Sequence, residues 1–114
     1  MNIEKIKSEI IERLKPLNPD KIILFGSYAY GVPNKESDID LFIIKNDLTL
    51  DKIREFELKA RKSLRDIIFK YNTNGIDILS APLSYIQNRD DYFYKVDILE
   101  KGKVWYERGI SSNL

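Results

Sequence analysis

The residues best suited to chemistry in this chain are Gly26-Ser27 and, after ten intervening residues, the pair Asp38 and Asp40. Apolar segments that favour β-strands lie directly before the glycine and directly after the second aspartate. A small Gly-Ser turn offers backbone N–H groups to a phosphate, and paired carboxylates can hold the metal ion that accompanies it. The spacing therefore indicates chemistry on a nucleotide.

The composition excludes several kinds of site. The chain has 114 residues, which predicts a single domain over residues 1–114. Its 19 Lys and Arg against 18 Asp and Glu give a net charge of +1, which argues against a surface for long nucleic acid. Because it has no Cys and no His, catalysis must use carboxylates, hydroxyls, Lys or Arg. The lack of Cys is typical of a cytoplasmic protein, and no apolar run is long enough to span a bilayer.

Hydrophobic periodicity predicts alternating helices and strands, that is, an α/β (α+β) fold with a small mixed sheet and flanking helices. A first helix contains Ile3 and Leu14 and ends before Pro16 and Pro19. Gly109 begins a stretch that reads as a loose tail. The remaining expected elements are strands over 21–25, 38–44, 75–80 and 103–106, a short helical start at 28–30, a long helix over about 50–71 and a helix over about 90–100.

Connectivity predicts that three acids meet at one edge of the sheet. The ten residues before Asp38 are too few for a usual parallel crossover, so the first two strands are expected to be antiparallel. The long helix is expected to connect the second and third strands in parallel, which brings Asp77 to the same edge. Asp38 and Asp40 point to one face, with Cα atoms about 6.6 Å apart. A set of oxygen ligands without His or Cys favours Mg²⁺, with Mn²⁺ as the alternative.

Each of these features also has an ordinary structural explanation. An isolated Asp-x-Asp is usually a solvated strand end, and an Arg or Lys partner could account for Asp77 inside an apolar strand. The aromatic side chains are expected to pack or to form an interface more often than to stack on bases; they are Tyr28, Tyr30, Tyr92, Tyr94 and Trp105. The combination of the Gly-Ser turn with three acids is more specific than any of its parts.

The segment GSYAYGVPNKESDIDLFII resembles the signature of the DNA polymerase β-like nucleotidyltransferase superfamily, namely Gly-Ser, ten residues and Asp-x-Asp. GIDILSAP is similar to the strand that carries the third acid of that superfamily. The closing stretch YFYKVDILEKGKVWYER is similar to the end of the minimal nucleotidyltransferase (MNT) proteins, which are often encoded beside a HEPN-domain partner. The resemblance covers about residues 20–108 and implies a palm-like nucleotidyltransferase fold.

Residue by residue, the resemblance implies a nucleotide site at Gly26 and Ser27. It implies that Asp38, Asp40 and Asp77 are both catalytic and metal-binding, with Asp77 also a candidate base and two Mg²⁺ ions expected. Members of the family often carry Arg at one or both of the positions that Tyr28 and Tyr30 occupy here, so the phosphate contacts of such an Arg are expected to be lost.

The resemblance further implies a reaction and a partner. ATP, or another nucleoside triphosphate, would donate its nucleotide to a hydroxyl, and the lack of a substrate domain suggests that another protein supplies that hydroxyl. The leading hypothesis is transfer of AMP to a tyrosine of a HEPN-domain partner, as in the antitoxin of a toxin–antitoxin pair. One alternative is a non-catalytic nucleotide-binding module that masks its partner. Another is nucleotide transfer to a small molecule, in which a homo-oligomer completes the pocket.

Overall fold

The computed structural model of the chain describes residues 3–34 and 36–109. Short 3-10 turns at Lys15–Leu17 and Leu50–Lys52 precede β1 and α3, and a π-helix at Phe93–Glu100 precedes β4. The other elements in chain order are α1 (Ile3–Leu14), β1 (Lys21–Phe25), α2 (Ser27–Tyr30), β2 (Ile39–Ile44), α3 (Ile53–Ser63), α4 (Arg65–Lys70), β3 (Ile76–Ala81), α5 (Leu83–Gln87) and β4 (Lys103–Glu107).

The four described strands form one mixed sheet in the order β3-β2-β1-β4. β1 pairs with β2 in antiparallel, with Phe25 opposite Asp40, and β2 pairs with β3 in parallel, with Asp40 opposite Asp77. Both orientations confirm the prediction from connection length. β4 lies antiparallel on the other side of β1, with a register shift between Ile22 and Ile23. The mixed α/β fold class is likewise confirmed.

The sheet separates two hydrophobic layers. Helices α1, α3 and α4 cover one face, where Ile39, Leu41 and Ile43 are buried. Helix α5 and the π-helix cover the other face, where Phe42 and Ile44 are buried. Because β2 is central and covered on both sides, its apolar run from residue 41 to 44 has no polar alternation, as expected for a strand that solvent does not reach.

The predicted long helix over 50–71 is wrong in one respect, because it is broken at Leu64 into α3 and α4. The Ser63 hydroxyl donates to the Ala60 carbonyl at 2.8 Å, and Leu64 leaves helical geometry with φ −107° and ψ 1°. A Ser that bonds back to the preceding turn competes with the helix for backbone acceptors, which explains the break. The hydrophobic periodicity continues across the break, and for this reason the sequence pattern did not reveal it.

Other boundaries differ by a few residues. The helix predicted from about residue 90 begins at Phe93 and has π-helical hydrogen bonding, and the short helix α5 was not predicted. Most of the predicted tail after Gly109 lies outside the described residues. Within the part of the chain that the structure describes, no helix combines the length and apolarity that a bilayer crossing requires.

Candidate active site

A glycine turn connects β1 to α2 at the edge of the sheet. Gly26 has φ 76° and ψ −161°, a conformation that side-chain-bearing residues rarely adopt. A Cβ atom on Gly26 would lie 2.2 Å from Oδ2 of Asp40, so any other residue here would have to displace the Asp40 carboxylate. The Gly26 carbonyl accepts from the backbone N–H groups of Ala29 and Tyr30, at 3.0 and 3.1 Å, which starts α2 at Ser27.

The two aspartates of the Asp-x-Asp pair each face a glycine. Asp40, in β2, lies against Gly26, and Asp38, just before β2, lies against Gly75 at the entry to β3. A Cβ atom on Gly75 would stand 3.1 Å from Oδ1 of Asp38. The close approach of Asp40 to Gly26 agrees with the predicted turn. The close approach of Asp38 to Gly75 was not predicted. A glycine directly before an apolar strand was the signal in the sequence that could have indicated it.

Asp77 lies opposite Asp40 in the parallel ladder, and paired residues in neighbouring strands point to the same face of the sheet. Asp77 is exposed, whereas Asp40 is half-buried. Burial, and then the negative charges of Asp77 and Asp38, raise the pKa of Asp40 to about 6. The Arg or Lys partner considered for Asp77 is absent among residues 3–34 and 36–109, since none of the three acids forms an ion pair there.

These acids suit a divalent cation by their chemistry. They are oxygen donors, they repel one another, and no Lys or Arg of the described residues balances them. The side chains are nevertheless not arranged as a finished metal centre, because no three acidic residues in the described part of the chain are grouped so that they could hold one ion. The roles of Asp38, Asp40 and Asp77 as metal ligands and catalytic groups, and of Gly26 and Ser27 as nucleotide contacts, therefore stay predictions.

Sequence reasoning missed one acid whose charge acts on a tyrosine of α2. Burial, and then the negative charge of Asp97, raise the pKa of Tyr30. Asp97 belongs to the π-helix, whose first residue, Phe93, meets Phe25 edge-to-face at 5.6 Å between ring centroids. Nothing in the sequence around Asp97 distinguished it from other surface acids, because its proximity to Tyr30 depends on how the π-helix crosses the sheet.

The aromatic residues expected at an interface divide into two groups. Tyr94 and Trp105 are half-buried and pack against the two hydrophobic layers. Tyr92 is 65% exposed. Of the aromatic residues considered for docking, Tyr92 is thus the most accessible, and packing explains the other two.

Comparison with known proteins shows what this arrangement is similar to. A family model described as nucleotidyltransferase domain matches residues 3–106. A protein of Methanocaldococcus jannaschii, provisionally named protein adenylyltransferase, is 31% identical over 109 residues, which cover 93% of this chain and all of the relative. A second protein of that organism with the same provisional name is 34% identical over 83 residues, covering 73% of this chain and 75% of the relative.

Solved structures share the fold at lower identity. A crystal structure of a toxin–antitoxin with AMP-PNP superposes with a TM-score of 0.58 and 19% identity, covering 94% of this chain and 77% of the other. A toxin–antitoxin pair, MntA-HpeT, crystallised as a variant with two aspartates changed to glutamate, gives a TM-score of 0.56 and 16% identity over the same shares of the chains. At such identity the likeness concerns the fold.

Proposed function

We infer the function of this chain from its family: it belongs to the nucleotidyltransferase domain family and is a nucleotidyltransferase. More specifically, we propose that it is a Mg²⁺-dependent protein adenylyltransferase that transfers AMP from ATP to a tyrosine hydroxyl of a HEPN-domain partner. The observation that carries the proposal is the pairing of Asp40 with Asp77 beside Gly26, which leaves uncompensated carboxylates next to a turn of backbone amides.

The nucleotide is proposed to bind with its phosphates on the Gly26–Ser27 turn and its α-phosphate near Asp38 and Asp40. Two comparisons support this placement. One structural neighbour was crystallised with AMP-PNP, an ATP analogue. The other was crystallised with two aspartates, two positions apart, replaced by glutamate, which is the spacing of Asp38 and Asp40 in this chain.

The reaction would proceed by attack of the acceptor hydroxyl on the α-phosphorus. The new bond joins the acceptor oxygen to phosphorus, the bond to the β-phosphate oxygen breaks, and pyrophosphate leaves. Asp77, which is exposed and therefore accessible to a docked acceptor, is proposed to take the hydroxyl proton. Asp38, Asp40 and Asp77 are the residues proposed to hold Mg²⁺, which would stabilise the negative charge that develops on the phosphoryl oxygens.

A protein acceptor fits the size of the described domain better than a small molecule does. The described residues form one four-stranded sheet with its covering helices and no additional substrate domain. Orientation of the acceptor, worth up to roughly 7–11 kcal/mol of a barrier, would then come from the docked partner. The provisional name of the curated relatives and the toxin–antitoxin assemblies of the structural neighbours support a protein partner and suggest an antitoxin role.

A non-catalytic module that only masks its partner would not need the acids. Like charges that raise the pKa of Asp40 to about 6 are unfavourable in the protein alone, and a masking surface gains nothing from them. Catalysis explains why such a cluster lies beside the glycine turn. The masking module is therefore the secondary hypothesis, and the experiment below separates the two.

The test is to mix the chain with the protein encoded by its neighbouring gene, ATP and Mg²⁺, and to follow the intact mass of both proteins. We expect an AMP-sized increment on a tyrosine of the partner, which Asp38→Asn and Asp77→Asn each reduce by at least 100-fold. Asp51→Asn is the matched control, because Asp51 is an exposed acid in the 3-10 turn before α3, away from the predicted site, and should leave transfer unchanged. A partner that is bound and silenced without any mass increment would favour the masking module.

A further inference from the structure

Helices α3 and α4 carry an excess of positive charge. Residues 52–70 contain seven Lys and Arg against three Asp and Glu, although the chain as a whole is close to neutral at +1. The three acids of this segment already have partners within the fold, namely Lys52 for Glu55, Ser80 for Glu57 and Arg13 for Asp66. Most of the cations of the segment are therefore left facing solvent without a balancing acid.

Three of these cations form an exposed row together with two apolar side chains. Arg54, Lys62 and Arg65 are exposed, and none of them forms an ion pair with any other residue that the structure places. Leu58 is 49% exposed, and Phe69 is 81% exposed, more than any other large apolar side chain of the described residues. These five residues form the α3–α4 ridge.

Helical spacing places the ridge on the side of both helices that faces away from the sheet. Arg54, Leu58 and Lys62 follow one another at intervals of four residues in α3. Arg65 and Phe69 have the same interval in α4. The other side of both helices is buried in one hydrophobic layer, through Phe56, Ala60, Leu64 and Ile67. Because both helices turn toward the same layer, the ridge continues from α3 into α4.

The edge strand beside α3 is less accessible to a partner than the ridge. β3 is an edge of the sheet, and its carbonyls at Gly75 and Ala81 bond to β2, which leaves the Ile78 carbonyl directed outward. Nη2 of Arg61 donates to that carbonyl at 3.0 Å. A side chain that covers an outward carbonyl hinders the addition of another strand. A partner that approaches from this side therefore meets the helices.

The chemistry of the ridge fits an acidic protein surface that has an apolar pocket. Unpaired cations attract carboxylates and orient a partner as it approaches. Exposed aromatic and arginine side chains are the usual anchors of protein interfaces, and apolar residues at helical spacing are typical of a helix that lies in a groove. A nucleic acid would use the cations, but it has no apolar counterpart for Leu58, and the acids at the candidate active site would repel its phosphates.

The α4 end of the ridge leads into the candidate active site. Phe69 lies in the last turn of α4, and five residues later the chain reaches Gly75, against which Asp38 lies. Asp77, which is exposed, follows near the start of β3. A protein bound on the ridge would therefore lie on the side of the molecule from which the chain enters this edge of the sheet.

We propose that the α3–α4 ridge is the docking surface for the acceptor protein, which presents acidic side chains around an apolar pocket for Phe69. The inference rests on the proposed function for the identity of the partner. It assigns docking to residues other than Tyr92, Tyr94 and Trp105. Because the ridge binds the acceptor and does not contact the reacting atoms, its loss should raise the KM for the acceptor and leave kcat unchanged.

The test measures the affinity of the full chain for the protein encoded by its neighbouring gene, by interferometry at low and at high salt. We expect Lys62→Glu and Phe69→Ala each to weaken binding by at least about tenfold. The affinity of the parent chain should fall as salt is added, and that of Lys62→Glu should fall less. Calorimetry of ATP and Mg²⁺ binding should give the same affinity for both variants and the parent chain.

Two matched controls carry the same kinds of change elsewhere. Lys15→Glu reverses a cation that lies over the ring of Tyr106 in β4, at the edge of the sheet opposite β3. Tyr92→Ala removes another exposed aromatic side chain, which is 65% exposed and precedes the π-helix. Both variants should bind the partner like the parent chain. Loss of binding in Tyr92→Ala but not in Phe69→Ala would overturn the proposed docking surface.

Rates of AMP transfer to the same partner separate this inference from the proposed function. If the parent chain modifies the partner and the ridge variants do so with unchanged KM and affinity, the docking surface is overturned and the proposed function stands. If the ridge variants lose binding but the parent chain never transfers AMP, the docking surface stands and the proposed function fails.

Two further outcomes would also overturn the docking surface. One is that the parent chain does not bind the neighbouring protein at all, whatever its affinity for ATP. The other is that the ridge variants keep the partner but lose binding of a labelled single-stranded RNA oligonucleotide that the parent chain binds. That result would assign the ridge to nucleic acid.

Discussion

Asp40 lies directly opposite Asp77 in the parallel ladder of β2 and β3, and no positive side chain among the described residues pairs with either acid. The two carboxylates therefore repel each other at the edge of the sheet where β1 ends in the Gly26 turn. This pairing arises from topology, because a helical crossover returns the chain to the same edge of the sheet. Its energetic cost in the metal-free protein is measurable.

The stability of the metal-free protein should therefore fall as the pH rises through the pKa of Asp40. The folded pKa is about 6 against an ordinary value of 3.8, so the favourable contribution is complete below about pH 4 and is lost as the pH rises past 6. A shift of this size corresponds to at most about 3 kcal/mol, and partial solvent screening reduces it to about 1–2 kcal/mol. Urea unfolding without divalent ions at pH 4.5 and 7.5 measures it.

The variant Asp40→Asn separates this contribution from those of other acids. We expect its free energy of unfolding to exceed that of the parent chain by more at pH 7.5 than at pH 4.5, since the amide removes the charge but keeps the shape. Equal pH dependence of the two proteins would show that Asp40 does not titrate differently in the folded and unfolded states.

Binding of ATP with Mg²⁺ should depend on the same proton. Because a metal ligand must be deprotonated, protons compete with the cation below the pKa of Asp40. We expect the affinity to rise by up to about tenfold per pH unit below pH 6 and to level off above pH 7. Calorimetry across pH 5–8 in two buffers of different ionisation enthalpy would report both the affinity and the protons released. Release of no protons at pH 5.5 would contradict the site.

Gly26 should be far less tolerant of alanine than Gly31. Both glycines have φ in the left-handed range, at 76° and 80°, so alanine strains the backbone by roughly 1–3 kcal/mol at either position. At Gly31 an added Cβ meets nothing within 4 Å, whereas at Gly26 it would collide with Asp40. We expect Gly31→Ala to lower the melting temperature and keep ATP binding, and Gly26→Ala to lose ATP binding as well. Similar ATP affinity in both variants would contradict this account of the turn.

Gly102→Ala should destabilise the protein through the core. The new methyl group would lie 2.4 Å from the Ile98 carbonyl and 2.5 Å from Cγ2 of Ile23, so the π-helix would have to move away from β1. Overpacking of this kind typically costs about 1–3 kcal/mol, and here one contact is with backbone, which yields less readily than a side chain. Thermal unfolding measures the loss. An unchanged melting temperature would show that the π-helix shifts at little cost.

The sequence predicted the elements that periodicity and connection length control. The ten-residue connection predicted the antiparallel pairing of β1 with β2, and the helical crossover predicted the parallel pairing of β2 with β3. The apolar run without alternation predicted that β2 is a central strand. Together these rules placed Asp77 at the same edge of the sheet as Asp40, and the structure adds that the two residues are paired. These rules need only the lengths of the connections and the periodicity of apolar residues, both of which can be read from a single sequence.

Features that depend on contacts across the fold were not predictable in this way. The break at Leu64 comes from one hydroxyl bonding back to Ala60, and the short α5 has too few residues to show a period. The effect of Asp97 on the pKa of Tyr30 couples residues that are distant in sequence and depends on how the π-helix crosses the sheet. The pairing of β4 with β1 likewise had no local signal.

The β1–β4 pairing joins two strands that are synthesised at well-separated times, since one begins at Lys21 and the other at Lys103. During synthesis on the ribosome β1 and its Gly26 turn emerge early, but β1 remains an unprotected edge until residues 103–107 have also emerged. Pairing of strands that are far apart in the sequence slows folding. A nascent chain would therefore complete the sheet that supports the Gly26 turn only after residues 103–107 have left the ribosome.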